Sequence, residues 1–176
     1  MNGNWTGPYQ QVAAKLITAY QQVTARHGRT ALTLYYDAGC GSGPAELDPI
    51  AFTRAYVPSQ VSDGLTYVFL SYYEDDCDGI RPSAGTWTAY FEALHARYPR
   101  AQLGFGEIGL SNPVTSRTMS TAKSLLTHYY GLPIHLPYYA GGYFWWYYYY
   151  EDCLPYDTKP LWQVLRAAFE SQAAGR

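Results

Sequence analysis

The alternation of apolar and polar positions divides the chain into helical and extended segments. Near the start, apolar residues recur at steps of three and four residues, at Val12, Leu16, Ala19 and Val23. This spacing predicts an amphipathic helix that ends near Gly28. Residues 48–60 carry a shorter helical pattern that two prolines interrupt. Three later helices are predicted in the same way: one capped by Ser83 or Thr86 and stopped by Pro99, one over 117–130, and one that begins at Pro160.

Four extended segments lie between these helices. They are rich in Leu, Val, Phe and Tyr, and they cover residues 30–36, 65–73, 101–108 and 140–150. The segments start about 35–40 residues apart, which is the repeat length of parallel α/β folds. The pattern therefore predicts one domain over residues 1–176, an α/β fold in which four parallel strands alternate with helices.

Length and charge limit the classes of protein to which this fold can belong. The 176 residues fall short of the ~250 of a complete (β/α)8 barrel. Charged residues make up only 15% of the chain and the formal net charge is −2, so we expect neither nucleic acid nor a membrane surface as a partner. The first residues lack the charged and apolar regions of a signal peptide, which leaves the compartment open and is compatible with a secreted full-length relative.

Acids and tyrosines follow each predicted strand, at Tyr36-Asp37, Tyr73 to Asp76, Glu107 and Tyr150 to Asp152. In a parallel sheet these ends meet on one rim, where α/β proteins bind ligands. Helix capping and solvation explain most of the acids. Glu107 differs, because it lies in the apolar, glycine-spaced segment 105–109 (Phe-Gly-Glu-Ile-Gly), where a carboxylate needs a partner or a function.

Three of the strands resemble a known family. Segment 105–109 resembles strand seven of the retaining glycoside hydrolases of clan A, whose Gly-Glu-x-Gly glutamate is the nucleophile. Residues 68–73 resemble strand six, where a tyrosine supports that nucleophile, which implies this role for Tyr73. Residues 142–147 resemble strand eight, whose tryptophan forms the floor of the sugar subsite, and this implies Trp146, or else Trp145. The resemblance covers the chain as strands five to eight.

The resemblance implies hydrolysis of β-linked saccharides by a retaining mechanism, in which Glu107 acts with a second carboxyl group about 5 Å away. The clan carries that acid/base on strand four in an Asn-Glu pair, and this sequence contains no Asn-Glu. Residues 1–7 resemble the loop just after strand four. The acid would then come from Glu74, Glu151 or a second copy. The expected substrate-binding residues are Trp146, Trp145, Tyr36, Asp37, Glu74 and Glu151.

Such a chain would be a parallel (βα)4 half of a TIM barrel, with two open strand edges. We expect a second copy to pair with it edge to edge and complete eight strands. The alternative fold is an open, doubly wound sheet with helices on both faces. The alternative function is a catalytically incomplete half-barrel that self-assembles and binds carbohydrate without turnover.

Metal and cysteine chemistry add little to this interpretation. Residues 74–76 together with Glu107 could offer oxygen ligands to Ca²⁺ or Mg²⁺, but they lack EF-hand spacing, and we expect neither a metal nor a cofactor. The cysteines are compatible with three thiols or with one disulfide and one thiol. Cys40 and Cys77 follow neighbouring strands, so a bond between them is geometrically plausible, while Cys153 is a third candidate.

Overall fold

The computed structural model describes residues 8–37, 48–141, 145, 153, 155–156 and 158–174. Within these residues the chain is an α/β protein. The strands are β1 (Ala31–Tyr35), β2 (Tyr67–Tyr73), β3 (Gln102–Gly109) and β4 (Tyr139–Gly141). The helices are α1 (Tyr9–Thr24), α2 (Pro49–Tyr56), α3 (Ser59–Ser62), α4 (Ala84–Arg97), α5 (Met119–Tyr130) and α6 (Pro160–Ala174), and a 3-10 turn spans Glu74–Cys77.

Local chemistry sets where the helices begin. The Asp48 side chain accepts a 2.8 Å hydrogen bond from Ala51 N, and Pro49 occupies the first turn of α2, where a missing N–H costs nothing. Ser83 caps α4 by accepting from Thr86 N at 3.1 Å. The predicted pattern over 48–60 is therefore two helices, since Pro58 separates α2 from α3.

The four described strands form one parallel sheet in the order β1-β2-β3-β4. The predicted parallel α/β fold is thus confirmed. Because each strand lies beside the next one in sequence and parallel crossovers are right-handed, the connecting helices lie on the same face of the sheet. A doubly wound sheet reverses its strand order, and these strands show no reversal.

The main core lies between the sheet and its helices. Alternate strand residues such as Leu34, Leu70 and Phe105 point into it and are almost fully buried. The helices contribute an aromatic and aliphatic layer with members on α4, α5 and α6, namely Trp87, Phe91, Leu94, Leu125, Leu126, Tyr129, Leu161 and Leu165. Helix α1 packs mainly on α2 and α3 in a smaller apolar cluster.

The remaining strand positions form the opposite face of the sheet, which we call the open face. It carries Thr33 and Tyr35 from β1, together with Tyr67, Phe69, Ser71 and Tyr73 from β2. Thr33 is exposed, and Tyr67 and Phe69 are half-exposed. Side chains that bind a ligand could therefore project from this face.

A one-residue bulge turns Glu107 onto the open face. Leu70 lies opposite Phe105, but the next residue, Ser71, lies opposite Glu107, so Gly106 has no partner on β2. Strict alternation would have placed Glu107 on the same side as Leu103 and Phe105, inside the helix-facing core. The bulge instead aligns the carboxylate with Ser71.

The surroundings of the glycines in β3 indicate that the sheet is curved. A Cβ atom on Gly106 would lie 2.9 Å from Thr33 Cγ2, although Thr33 is two strands away. In a flat sheet such strands are about 10 Å apart, so the sheet curls toward the open face. A Cβ atom on Gly104 would lie 1.7 Å from the carbonyl oxygen of Gly141, which explains glycine where β4 approaches.

The described cysteines differ in their bonding. Cys77 is disulfide-bonded and Cys153 carries a buried thiol, which excludes three thiols; Cys40 lies outside the described residues. Of the predicted strand over 140–150, the described residues are those in β4 and Trp145. Trp145 forms a parallel bridge with Ile108. No described helix is both long and apolar enough to span a membrane.

Candidate active site at the carboxyl end of the sheet

Glu107 is held by two hydroxyl groups of the neighbouring strand. The Tyr73 hydroxyl donates a 2.7 Å hydrogen bond to Glu107 Oε2, and Ser71 Oγ donates to the same oxygen at 3.3 Å. No described residue donates to Oε1. Among the described residues, the half-buried carboxylate is therefore anchored through one of its two oxygens.

Tyr73 remains protonated in this environment. Burial is the main cause that raises the pKa of Tyr73, and the hydrogen bond to Glu107 and the charge of that carboxylate raise it further. A phenol with a raised pKa stays a donor throughout the physiological range. Its hydroxyl therefore donates to Glu107 Oε2 and fixes the position of that carboxylate oxygen.

A second tyrosine-carboxylate pair lies beside the first. The ring of Tyr35 stacks on that of Tyr73, with centroids 6.0 Å apart and planes inclined by 25°. The Tyr35 hydroxyl donates to Asp76 Oδ2 at 2.9 Å. Burial, followed by this bond and the Asp76 charge, raises the pKa of Tyr35, so it is also a donor.

The 3-10 turn Glu74–Cys77 attaches the end of β2 to other parts of the molecule. Glu74 binds the helix layer through Arg81, Asp75 accepts from Ser111 N at 2.9 Å in the loop after β3, and Asp76 accepts from Tyr35. Cys77 adds a disulfide. Each residue of the turn is thus fixed to a different group.

The structure places Glu74 in the helix layer. Its side chain is buried and forms a two-pronged ion pair with Arg81, with Nε to Oε1 at 2.6 Å and Nη2 to Oε2 at 2.9 Å. The Tyr129 hydroxyl donates to Oε1 at 3.2 Å. Both oxygens are therefore occupied on the side of the sheet opposite Glu107.

Tyr36 also lies on the helix side. It is 8% exposed and packs against the rings of Tyr72, Trp87 and Tyr90, the last at a centroid distance of 4.3 Å. These contacts belong to the core rather than to the open face. Asp37, the next residue, is half-exposed at the carboxyl end of β1.

The two tryptophans expected from strand eight differ in what the structure shows. Trp145 is 2% exposed and bridges Ile108 near the end of β3, so its ring is buried. Trp146 lies outside the described residues, as does Glu151. Within the described ranges, no group of three or more His, Cys, Asp or Glu side chains could hold a metal ion.

Sequence reasoning missed Ser71 and Tyr35 as neighbours of the site. The period of two along a strand could have found Ser71, which shares a face with Tyr73, and the parallel register places Tyr35 opposite Ser71. The bond between Tyr35 and Asp76 spans 41 positions, and no local pattern signals it.

Comparison of the chain with known protein families, with curated proteins and with solved structures finds no match. The geometry around Glu107 is therefore the basis for a functional proposal.

Proposed function

We propose that the chain is the (βα)4 half of a retaining glycoside hydrolase barrel, in which Glu107 is the nucleophile that cleaves β-linked saccharides. One observation carries the proposal. Glu107 projects from the carboxyl end of a central parallel strand onto the open face, with Oε2 anchored by Tyr73 and Ser71. Ligands of parallel α/β sheets bind at this end of the strands.

The anchored geometry suits a displacement at the anomeric carbon. Glu107 Oε1 forms a bond to that carbon while the bond to the glycosidic oxygen breaks, and the departing oxygen takes a proton from a carboxylic acid. Water then attacks the same carbon, gives its proton to the second group, and releases Glu107 as a carboxylate. Tyr73 holds Oε2 so that Oε1 faces the substrate.

The sheet itself favours assignment to a barrel. Its strands are in sequential order, and it curls enough to bring Gly106 near Thr33 on the next-but-one strand. Inward-facing residues of alternate strands meet in this way inside (β/α)8 barrels. A complete barrel needs four more strands on the edges of β1 and β4.

We assign those strands to a second copy related by two-fold symmetry, which would pair each β1 with the partner's β4. Apolar clefts adjoin both edges. A cleft of about 250 Å³ lies along β1 and includes Leu16, Tyr20 and Leu32, and a cleft of about 600 Å³ lies beside β4 and includes Ile134 and Phe169. Association would bury both, and the net charge of −2 opposes it little.

The acid/base is the incomplete part of the proposal. Glu74 is left out, because Arg81 and Tyr129 occupy both of its oxygens. Glu151 and the second copy remain as sources. The sugar platform stays with Trp146, since the ring of Trp145 is buried.

A second candidate function is carbohydrate binding without turnover. The observation that favours it is the engagement of the neighbouring acids, since Arg81 binds Glu74, Ser111 binds Asp75 and Tyr35 binds Asp76. A site with Glu107 and no proton donor would hold a sugar and leave its glycosidic bond intact.

An assay of the purified chain with a panel of aryl β-glycosides separates the two functions. The hydrolase proposal predicts turnover that Glu107→Gln abolishes while the melting temperature is kept. The binding proposal predicts that saccharides raise the melting temperature of both forms without product. If no saccharide of the panel is cleaved and none raises the melting temperature, both proposed functions are contradicted.

A further inference from the structure

The hydrogen bond between Tyr73 and Glu107 depends on the orientation of the Tyr73 ring. One face of that ring lies against Tyr35, at a centroid distance of 6.0 Å. Tyr35 in turn is fixed at its hydroxyl by Asp76 Oδ2, 2.9 Å away. The position of Tyr73 is thus defined at its hydroxyl by Glu107 and at its face by a tyrosine that Asp76 holds.

These contacts form a closed circuit. Asp76 lies in the 3-10 turn that starts immediately after Tyr73, and its side chain reaches back across β2 to Tyr35 on β1. The neighbours of Asp76 in the turn are fixed independently, Asp75 by Ser111 and Cys77 by a disulfide. Asp76 is therefore held where it can orient Tyr35.

We propose that Asp76 is a positioning residue for Glu107, which acts through the hydroxyl of Tyr35 and the ring of Tyr73. The inference rests on the proposed function, in which Glu107 is the nucleophile. Asp76 forms its hydrogen bond with Tyr35, and its charge is the smallest of the causes that raise the pKa of Tyr73, so its effect on Glu107 passes mainly through the stacked rings.

The role of Asp76 requires a hydrogen-bond acceptor rather than a negative charge. In Asp76→Asn the side-chain carbonyl still accepts from Tyr35, whereas in Asp76→Ala the acceptor is lost. A purely electrostatic role would make the two variants equally defective. Tyr35→Phe removes the donor from the same bond and should behave like Asp76→Ala.

The test is the rate at which a 2-deoxy-2-fluoro aryl glycoside with a dinitrophenolate leaving group labels Glu107. Such a leaving group departs without protonation, so the rate reports the nucleophile alone. We expect labelling about 10-fold slower in Asp76→Ala and Tyr35→Phe, as the loss of one hydrogen bond implies, with an unchanged half-saturating concentration. Asp76→Asn should stay within about 2-fold of wild type. The control is Asp78→Asn, which removes an exposed charge just after the same turn.

The outcomes separate the inference from the proposed function. If Asp76→Ala is labelled at the wild-type rate, the inference is overturned and the proposed function stands. The same holds if Asp76→Asn is labelled as slowly as Asp76→Ala. Absence of labelling in wild type overturns the proposed function. In that case the ring NMR signal of Tyr73, assigned by comparison with Tyr73→Phe, tests whether Asp76 positions the Tyr73 ring. The signal should shift in Asp76→Ala and stay in place in Asp78→Asn. A signal that is the same in both variants overturns the inference without any assay of activity.

Discussion

The Tyr73 hydroxyl and Glu107 Oε2 are joined by a 2.7 Å hydrogen bond that links residues 34 positions apart on neighbouring strands. Tyr73 is buried and its pKa is raised, so it donates this bond throughout the physiological range. Ser71 donates to the same oxygen, so both described hydrogen bonds to the carboxylate fall on Oε2. This relationship makes Glu107 the centre of the proposed site.

Loss of the Tyr73 hydroxyl should slow the reaction of Glu107. A hydrogen bond to a charged group contributes about 1.5–3 kcal/mol, so Tyr73→Phe should lower the rate constant for labelling or turnover about 10- to 100-fold. The matched control is Tyr67→Phe, which removes a hydroxyl from the same face of the same strand, where its partner is Arg29. Equal rates in the two variants would mean that the Tyr73 hydroxyl does not assist the reaction of Glu107.

The ion pair between Glu74 and Arg81 should be structural. In Arg81→Met the buried Glu74 carboxylate keeps only Tyr129 as a hydrogen-bond donor, and the free energy of unfolding should fall by about 2–3 kcal/mol. The control is Arg166→Met, which breaks an exposed pair with Glu170 and should leave the free energy of unfolding almost unchanged. Denaturant unfolding measures the free energy of unfolding of both variants. Similar losses would mean that the buried pair stabilises the fold no more than the exposed pair does.

The bulge at Gly106 should tolerate no side chain. In Gly106→Ala the new methyl group would lie 2.9 Å from Thr33 Cγ2 and 3.1 Å from Phe69 Cβ, so we expect a loss of about 1–3 kcal/mol in unfolding free energy and displacement of Glu107. Adding Thr33→Ala should recover part of the loss. Gly85→Ala is the control, since its new methyl group would lie 3.7 Å from Ser83 Oγ and alanine favours the helix. Unchanged stability in Gly106→Ala would argue against the curved sheet.

The proposed barrel predicts a dimer in solution. Closure of both sheet edges by a second copy should give twice the chain mass of 19.8 kDa in sedimentation at micromolar concentration. Any turnover should then fall when dilution separates the copies. A well-folded monomer that keeps its activity on dilution would contradict the proposal that a second copy completes the barrel.

Much of the fold follows from local pattern. Apolar segments at 30–36, 65–73 and 101–108 correspond to β1, β2 and β3, because their length and the turn residues around them leave little alternative. The sequence pattern predicts that Pro49 interrupts a helix, yet Pro49 begins α2, where its fixed backbone angle fits the first turn.

The site was predictable only in part. A lone carboxylate in an apolar strand identified Glu107, and a tyrosine at the end of the preceding strand identified Tyr73. The face to which Glu107 points was not predictable, since it depends on a register shift between strands. The burial of Tyr36 and Glu74 among helix residues depends likewise on tertiary contacts with Trp87 and Arg81, which no periodicity in the sequence encodes.

The most direct test of the central claim is the mass of the chain after incubation with dinitrophenyl 2-deoxy-2-fluoro-β-glycosides. We predict an increase by one fluoroglycosyl group per chain, which peptide mapping locates on Glu107 and which Glu107→Gln lacks. Labelling at another residue, or no labelling by any sugar of the panel in a folded protein, would contradict the assignment of Glu107 as the nucleophile.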